Sequence, residues 1–464
     1  MNVHFEQILK KLKLKARGLN DYCDAPLNNV YFRIDGFVLM CCSNNEDILG
    51  VYPEQSVKEL FEGEKRKEIS ERFRKGEVLG GCSYCYGKLM EGNFQSAIFQ
   101  AYKDNFKHSN IPASVEFELS NRCNLKCVMC NSLLSDKHED KSVVSKEIIY
   151  DHKFVEQLLP YIPYLKRTNF KGGEPFLIDL YYDIWEEIIR LNKKISVSVT
   201  SNGTILNDKV RSVLSRTNFD INISIDSFNK ERYEQIRENA SYNVFYKNLL
   251  YFIEYTKEKN TTFTSCTCLM TNNFQDIPEV FNFADKHQFG IFINYVEYPL
   301  HLSLKSLSSK DLADIIRFLN NNVPSAISPE GKKNLILYQS MLKQIHTWMN
   351  DKRKLEEKGL DKQNITNFEN SVQMLIERTE KYYNSYFHER EKTGSANQAI
   401  SLRNQIDKFN AVYKKTISFI SKENVIQYFL ETNEKEFIDF FEMSEFQIIE
   451  KIKQKNNSLD TERH

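Results

Sequence analysis

The chain has 464 residues, enough for two or three domains with cores of their own. Its 63 basic and 63 acidic residues cancel, so bulk charge favours neither nucleic acid nor an anionic membrane as a partner. No segment has the uninterrupted apolar length of a membrane span, and residues 1–18 lack the apolar core and cleavage site of a signal peptide. We therefore expect a cytoplasmic protein whose first residues form an amphipathic surface helix.

All ten cysteines lie between Cys23 and Cys268. In a long chain with no signal peptide, grouped cysteines indicate metal binding rather than a disulfide framework. Their placement divides the sequence into three predicted domains, which are residues 1–110, 111–300 and 301–464.

Four well-separated thiols mark the first predicted domain. Asp35-Gly36 lies between strand-like segments and predicts a hairpin turn, which would bring distant cysteines together. A CxxC pair follows further along the chain. Such thiols bind either zinc or a complete iron–sulfur cluster, and their spacing does not separate the two. The candidates are Cys23, Cys41 with its neighbour Cys42, Cys82 and Cys85.

A tighter group of cysteines begins the middle domain. Cys123, Cys127 and Cys130 have the spacing CxxxCxxC and follow the predicted strand Val115–Leu119. Three thiolates in one loop can hold three irons of a four-iron cluster and leave the fourth iron without a protein ligand. A structural zinc site is the alternative, but zinc usually takes four N or S ligands, and no fourth follows at such a spacing.

This loop resembles the cysteine motif of the radical S-adenosylmethionine (radical SAM) superfamily. The resemblance implies a partial (β/α)6 barrel of the α/β class, in which the open iron binds SAM and the cluster cleaves it to a 5′-deoxyadenosyl radical. The alternation of strand-like and helical segments from Ile111 to about Pro299 agrees with repeated βα units. Met129 stands where many members place an aromatic residue against adenine, and its thioether can fill that space.

The segment Gly172-Gly173-Glu174 follows the next predicted strand. Two glycines allow close approach of the backbone to a ligand, and a carboxylate accepts hydrogen bonds from an ammonium group. A Gly-Gly turn before a helix is common by itself, but here it resembles the radical SAM GGE motif. The resemblance implies that Gly172, Gly173 and Glu174 hold the amino group of SAM.

Two later strands end in polar residues, which helix capping would also explain. Ser201 and Asn202 resemble the segment beside the SAM ribose. Ser224 and Asp226 resemble the stretch near the SAM carboxylate. Arg237 is a candidate ion-pair partner there, or equally a solvated helix residue.

Cys266 and Cys268 lie two residues apart in the predicted strand Thr262–Met270 and therefore share one face. Buried free cysteines usually act as small apolar residues. The alternative hypothesis is that one faces the barrel lumen and donates a hydrogen atom to a substrate radical, as in radical SAM epimerases.

The N-terminal pattern Cys-x(12)-Gly-x(4)-Cys followed by CxxC resembles the twitch domain, a shortened SPASM domain that holds an auxiliary four-iron cluster. The resemblance implies an N-terminal auxiliary-cluster domain, although here it precedes the barrel instead of following it. Four ligands would complete the coordination and favour electron transfer. The implied ligands are Cys23, Cys41, Cys82 and Cys85, with Cys42 able to replace Cys41.

Residues 301–464 predict a C-terminal helical region without chemistry of its own. Leu312, Ile315, Ile316 and Leu319 recur at helical spacing after the candidate starts Ser309 and Asp311. Longer helices are predicted over 364–391 and 399–420. Aromatic stripes such as Phe437, Phe440 and Phe441 indicate core rather than a cofactor site.

Together these patterns predict a radical SAM oxidoreductase that abstracts hydrogen from a peptide or protein and passes an electron to an auxiliary cluster. A dehydrogenase or epimerase of a sugar-like small molecule is the alternative, and a non-catalytic zinc-stabilised scaffold is a further one. The enzyme would need a reducing partner such as flavodoxin or ferredoxin.

Overall fold

The computed structural model describes most of the first 357 residues and a few positions near the end of the chain. The chain divides into two compact units, Met1–Asn350 and Asp351–His464. The predicted helices over 1–18, 364–391 and 399–420 lie outside the described residues, which are 22–44, 46–82, 85–86, 101–103, 106, 109–130, 135–137, 149–296, 299–357 and nine single positions between 429 and 452.

The strands of the first unit are β1 Asn29–Phe32, β2 Phe37–Leu39, β3 Gly50–Val51, β4 Ser114–Phe117, β5 Lys126–Cys127, β6 Arg167–Phe170, β7 Ser196–Ser201, β8 Phe219–Ser224, β9 Arg237–Glu238, β10 Phe263–Leu269 and β11 Gly290–Tyr295. Nine of them form one sheet in the order β11-β10-β8-β7-β6-β4-β1-β2-β3. Pairing is parallel from β11 to β1 and antiparallel from β1 to β3. The remaining two, β5 and β9, form a separate antiparallel pair.

The helices are α1 Ala25–Asn28, α2 Val57–Glu62, α3 Glu64–Arg74, α4 His152–Leu158, α5 Asp179–Leu191, α6 Asp208–Arg216, α7 Lys230–Ile236, α8 Tyr242–Lys259, α9 Ile277–His287, α10 Ser309–Asn321 and α11 Pro329–Glu357. Helices follow most of the strands from β6 to β11. The predicted α/β fold with a mostly parallel sheet is therefore confirmed. Among the described residues, no helix has the length and apolar character needed to cross a bilayer.

The N-terminal hairpin belongs to the same sheet as the strands of the predicted barrel. Strand β1 pairs with β4 from Asn29 opposite Ser114 to Phe32 opposite Phe117. The rings of Phe32 and Phe117 stack with centroids 6.2 Å apart, and Phe170 of β6 lies 4.9 Å beyond Phe117. The predicted division between residues 110 and 111 thus falls between two paired strands of one core. The Asp35-Gly36 turn joins β1 to β2 as predicted, with Gly36 at φ +83°.

Strand β4 is shorter than the predicted Val115–Leu119, and all four of its residues are buried. Glu116 alternates with the apolar Val115 and Phe117 along this strand. It is nevertheless only 4% exposed, because β1 and β6 flank it and Lys171 pairs with it at 2.5 Å. Helix α10 buries the four apolar residues that were predicted for it. Its N-cap is Ser308 rather than Ser309 or Asp311, and the Ser308 Oγ accepts a hydrogen bond from the Asp311 N–H.

Paired positions across the parallel strands define an inner face of the sheet, marked by Tyr31, Glu116, Asn169, Ser198, Asn222, Ser224 and Cys266. On β8 these polar positions alternate with Phe219, Ile221 and Ile223, which are fully buried in the apolar core.

In the second unit, the buried rings of Phe429, Phe437 and Phe440 pack together, as predicted for a core.

Candidate functional site

Three thiols lie together in the loop that follows β4. Cys123, Cys127 and Cys130 are all free of disulfide bonds. The Cys130 N–H donates to the Cys127 carbonyl at 3.0 Å, which closes a tight turn between these two residues. Leu125, only 1% exposed, packs between Cys123 and Cys127 and donates its N–H to Cys123 Sγ at 3.4 Å. The loop therefore presents three sulfurs over a small apolar base.

Arg237 is placed directly opposite Cys127 by the pairing of β5 with β9. Its Nη1 donates to Cys127 Sγ at 3.8 Å, and its Nη2 lies 2.6 Å from Oδ2 of Asp226. A hydrogen bond from Cys130 and the positive charge of Arg237 lower the pKa of Cys127 to about 7. Arg237 is 6% exposed, so its interpretation as a solvated helix residue is wrong.

Asp226 joins the same site to β10. It is fully buried, and its Oδ1 accepts a hydrogen bond of 2.8 Å from the Cys268 N–H. Cys266 pairs with Ser224 in register, and both Cys266 and Cys268 alternate with the buried Ser265 and Thr267. The two cysteines therefore share the partly exposed inner face. Cys268 and Met129 both pack against a small apolar cluster that includes Ile236 and Met270.

The two glycines of the GGE segment make room for the protein's own backbone. Gly172 has φ +93°, and a Cβ on it would lie 2.6 Å from the Ser120 carbonyl oxygen. A Cβ on Gly173 would lie 2.2 Å from the Arg122 carbonyl oxygen. The N–H groups of Gly173 and Glu174 donate to these same two carbonyls, at 3.0 and 2.8 Å. The turn is thus fastened to the beginning of the cysteine loop.

The Glu174 carboxylate is fully buried and already has three donors. Ser201 Oγ and the Phe176 N–H donate to Oε1 at 2.9 and 3.1 Å, and the Asn202 N–H donates to Oε2 at 2.8 Å. Burial raises its pKa to about 7 despite these bonds. The sequence led us to expect a carboxylate directed at a ligand, whereas the structure directs it at the end of β7.

Asn202 ties the end of β7 to the cysteine loop. Its Nδ2 donates to Asn124 Oδ1 at 2.9 Å and lies 3.9 Å from Cys123 Sγ. Asn124 in turn donates to Thr204 Oγ1 at 2.8 Å. The sequence did not single out Asn124, although a polar residue inside the CxxxC spacing was the available signal.

A family model described as the Radical SAM superfamily matches residues 117–284, the segment that holds all of these contacts. Residues 117–284 form a radical SAM domain. The match begins at the end of β4 and ends within α9, so it covers the cysteine loop, the GGE turn and the Asp226–Arg237 pair.

Curated relatives match this chain over part of their length. GTP 3′,8-cyclase of Clostridium perfringens is 24% identical over 210 residues, which cover 44% of this chain and 61% of the relative. Radical SAM cyclopropyl synthase TigE of Paramaledivibacter caminithermalis is 27% identical over 220 residues, 44% of each protein. The chain thus spans less than two thirds of these relatives.

Solved structures are similar at a lower level. One is anSMEcpe with bound AdoMet, at 20% identity and a TM-score of 0.34, over 45% of this chain and 57% of that one. Another is Streptococcus suis SuiB bound to S-adenosylmethionine, at 15% identity and a TM-score of 0.33, over 56% of this chain and 50% of that one.

Outside the radical SAM domain, the four N-terminal cysteines predicted as ligands line one small cavity. Cys23, Cys41, Cys82 and Cys85 surround it together with Tyr102. Burial raises the pKa of Cys82 to about 12, and burial and the neighbouring thiols also raise that of Cys23. Cys42 does not line the cavity.

Cys42 lies instead beside Tyr102, whose hydroxyl donates to its Sγ at 3.3 Å. Tyr102 therefore contacts the cavity and Cys42 at once. Among the described residues, no three His, Cys, Asp or Glu side chains are grouped as the ligands of a single metal ion.

A buried polar cluster separates this cavity from the GGE turn. Lys171 precedes Gly172, pairs with Glu116 and lies 4.6 Å over the ring of Tyr31. Asn29 donates from Nδ2 to Glu116 at 2.9 Å and to the carbonyl of the cavity residue Met40 at 2.7 Å. Sequence reasoning missed this cluster because its members lie on β1, on β4 and directly after β6, segments that are far apart in the chain.

Proposed function

We propose that this protein is a radical SAM enzyme in which Cys123, Cys127 and Cys130 hold a four-iron cluster with one open iron. The observation that carries the proposal is the joining of three segments around these thiols: the GGE turn, the end of β7 through Asn202, and the Asp226–Arg237 pair. When bound, the cluster and SAM supply a 5′-deoxyadenosyl radical for hydrogen abstraction. The protein's own residues bind, orient and enclose the reactants.

The donor set fits such a cluster. Three free thiols in one loop match the three-cysteine ligation that leaves an iron open. The guanidinium of Arg237 beside Cys127 Sγ favours the thiolate, which is the form that binds iron. A four-iron cluster is also larger than a single ion, so its thiolates stand further apart than the ligands of one zinc ion.

For SAM, we propose that the backbone of Gly172 to Glu174 holds the amino group. The Glu174 carboxylate then acts through Ser201 and Asn202, because its hydrogen bonds fix that segment where the ribose would lie. Ser224, Asp226 and Arg237 would lie near the SAM carboxylate. Met129, which packs against the same apolar cluster as Cys268, would contact the adenine.

For the N-terminal cavity we propose an auxiliary four-iron cluster held by Cys23, Cys41, Cys82 and Cys85. Their shared lining of one cavity supports this assignment and favours Cys41 over Cys42. With four ligands the cluster would transfer electrons rather than bind substrate. An external reductant such as flavodoxin or ferredoxin would supply the electron that starts each turnover.

For the substrate we propose a peptide or protein, the class on which many twitch and SPASM enzymes act. Support comes from β11, which lies at the end of the nine-stranded sheet. Its residues Phe292 and Asn294 pair with Cys266 and Cys268 and are exposed, so within the described part of the chain an extended peptide could reach the inner face at this edge. Oxidation of a substrate radical would make the enzyme an oxidoreductase.

A sugar-like small molecule is the second candidate, acted on by a dehydrogenase or an epimerase. The observation that favours it is the inner-face position of Cys266 and Cys268, where a thiol could return a hydrogen atom to a substrate radical. Replacement of both cysteines by alanine tests this hydrogen-donor role. Product formation with unchanged stereochemistry would exclude the hydrogen-donor role.

Anaerobic reconstitution of the full chain tests the proposal. We expect a brown protein with about eight irons, four per cluster, that releases 5′-deoxyadenosine from SAM under reducing conditions. A colourless protein that binds zinc and leaves SAM intact would support the scaffold alternative and contradict the enzyme. Deuterium-labelled peptides and sugars then identify the substrate class by transfer of deuterium into 5′-deoxyadenosine.

A further inference from the structure

Arg237 stands in the middle of a chain of contacts that runs from the cysteine loop to the inner face of the sheet. It donates to Cys127 Sγ, pairs with Asp226 at 2.6 Å, and through Asp226 reaches the Cys268 N–H. Arg237 is 6% exposed and Asp226 is fully buried. Both charges therefore act in surroundings that water screens poorly, where their electrostatic effects are larger than at the surface.

We propose that Arg237 and Asp226 together set the reduction potential of the cluster held by Cys127. Arg237 raises the potential, and Asp226 lowers it by neutralising Arg237. This inference rests on the proposed function, because it requires a cluster at the three cysteines. Arg237 is thus a positioning residue that acts on the cluster through a ligand sulfur.

The physical reason is the charge that reduction adds. An added electron makes the cluster more negative by one unit, so a nearby cation stabilises the reduced form. Hydrogen bonds to the sulfurs act in the same direction, and both are recognised determinants of iron–sulfur potentials. An anion beside the cation opposes it, so removal of the two side chains should have opposite effects.

The backbone holds Arg237 in place largely without help from its side chain. Arg237 lies in β9, opposite Cys127 of β5, and the Val128 N–H donates to the Ile236 carbonyl at 3.0 Å. The Ala240 N–H donates to the Arg237 carbonyl at 2.9 Å and closes the turn after β9. Replacement of the side chain therefore leaves the segment fixed beside the cysteine loop.

A second arginine nearby supplies a matched control. Arg232 lies on α7, five residues before Arg237, and pairs with Asp276, which is also buried. The structure gives Arg232 no contact with the cysteine loop among the described residues, and its side chain is 30% exposed. Arg232→Gln thus removes an arginine and breaks a comparable ion pair away from the cluster.

The test is an EPR-monitored redox titration of the reconstituted full chain, without and with SAM, for the wild type and for R237Q, D226N and R232Q. The signal that disappears in C123A identifies the cluster concerned. We expect the potential of R237Q to lie below that of the wild type and that of D226N to lie above it, whereas R232Q matches the wild type. Iron content and the unfolding transition of each variant are measured alongside.

Shifts of the same sign in R237Q and D226N, or no shift in either, would overturn the inference if the wild type still holds its cluster and cleaves SAM. If R237Q fails to retain iron, the reduction potential of D226N must still lie above that of the wild type, and the potential of R237K must not. Any other result means that the inference is wrong. A wild-type protein that forms no such cluster contradicts the proposed function itself, so the two failures are distinguishable.

Discussion

Asn202 donates a hydrogen bond of 2.9 Å to Asn124, and this contact connects the end of β7 to the loop of the three cysteines. We predict that Asn124→Ala and Asn202→Ala each lower the free energy of unfolding by about 1–2 kcal/mol. Both should also speed the loss of iron from the reconstituted protein to a chelator. Because the two side chains share one bond, their combined effect should be less than the sum of the single effects.

The control is Asn222→Ala, which breaks a bond of the same length to Ser198 on the inner face. It should cost similar stability and leave iron retention unchanged. Equal iron loss in all three variants would contradict a specific role for Asn202 and Asn124.

Gly173→Ala should destabilise the site, because its Cβ would lie 2.2 Å from a backbone oxygen that cannot move away like a flexible side chain. We expect a loss of about 1–3 kcal/mol, as in an overpacked core, together with poor cluster loading. Gly290→Ala is the matched control, since no atom lies within 4 Å of its added Cβ, and it should change stability by less than about 0.5 kcal/mol. Urea unfolding and iron analysis compare the two variants. Equal stability and equal iron content would contradict the prediction.

Glu174 should give the apoprotein a distinct pH dependence. Burial raises its pKa from 4.5 to about 7 in the folded state, so the folded protein binds the proton more tightly than the unfolded chain. Its contribution to stability is therefore fully present below pH 4.5 and is lost as pH rises to and through 7, by up to about 3 kcal/mol.

Urea unfolding of the apoprotein at several pH values between 5 and 8 measures this slope. Glu174→Gln removes the titrating group and should flatten the curve in that window. A variant with the same slope as the wild type would show that another group is responsible.

Cys41 and Cys42 should differ in their effect on iron content. Because Cys41 lines the N-terminal cavity and Cys42 does not, Cys41→Ala should reduce the reconstituted protein from about eight irons to about four, whereas Cys42→Ala should keep about eight. Iron analysis with Mössbauer spectroscopy distinguishes the variants. The reverse pattern would make Cys42 the ligand.

Lys171→Met should be strongly destabilising, because it leaves the buried carboxylate of Glu116 without its cation. We expect a cost of about 3–5 kcal/mol, and partial recovery in the double variant K171M/E116Q. Lys209→Met is the control, since its pair with Asp179 is exposed and should contribute less than about 1 kcal/mol. Chemical unfolding gives the three values, and similar costs for K171M and K209M would contradict the prediction.

The parts of the fold with strong local patterns could be predicted from the sequence. The strand predicted over Thr262–Met270, the Asp35-Gly36 turn and the apolar stripe of α10 each depend on neighbouring residues, and each has its counterpart in the structure. The cysteine spacings likewise indicated which thiols lie together. In these cases local chemistry was sufficient.

Contacts between distant segments could not be predicted in this way. The pairing of β1 with β4 joins residues 85 positions apart, and β5 and β9 are each two residues long, too short to leave a periodic signal. The burial of Arg237 and Glu116 follows from partners that only the tertiary structure supplies. The GGE segment could be recognised in the sequence, but the direction of the Glu174 carboxylate depends on hydrogen bonds from the Ser201–Asn202 segment.

The central claim is that Cys123, Cys127 and Cys130 hold the cluster that cleaves SAM. Its most direct test is 5′-deoxyadenosine formation by the anaerobically reconstituted, chemically reduced full chain, compared with a variant in which these three cysteines are alanine. We predict release by the wild type and none by the variant, which should still hold the four irons of its N-terminal cluster. Equal release by both proteins, or none by an iron-loaded wild type, would contradict the claim.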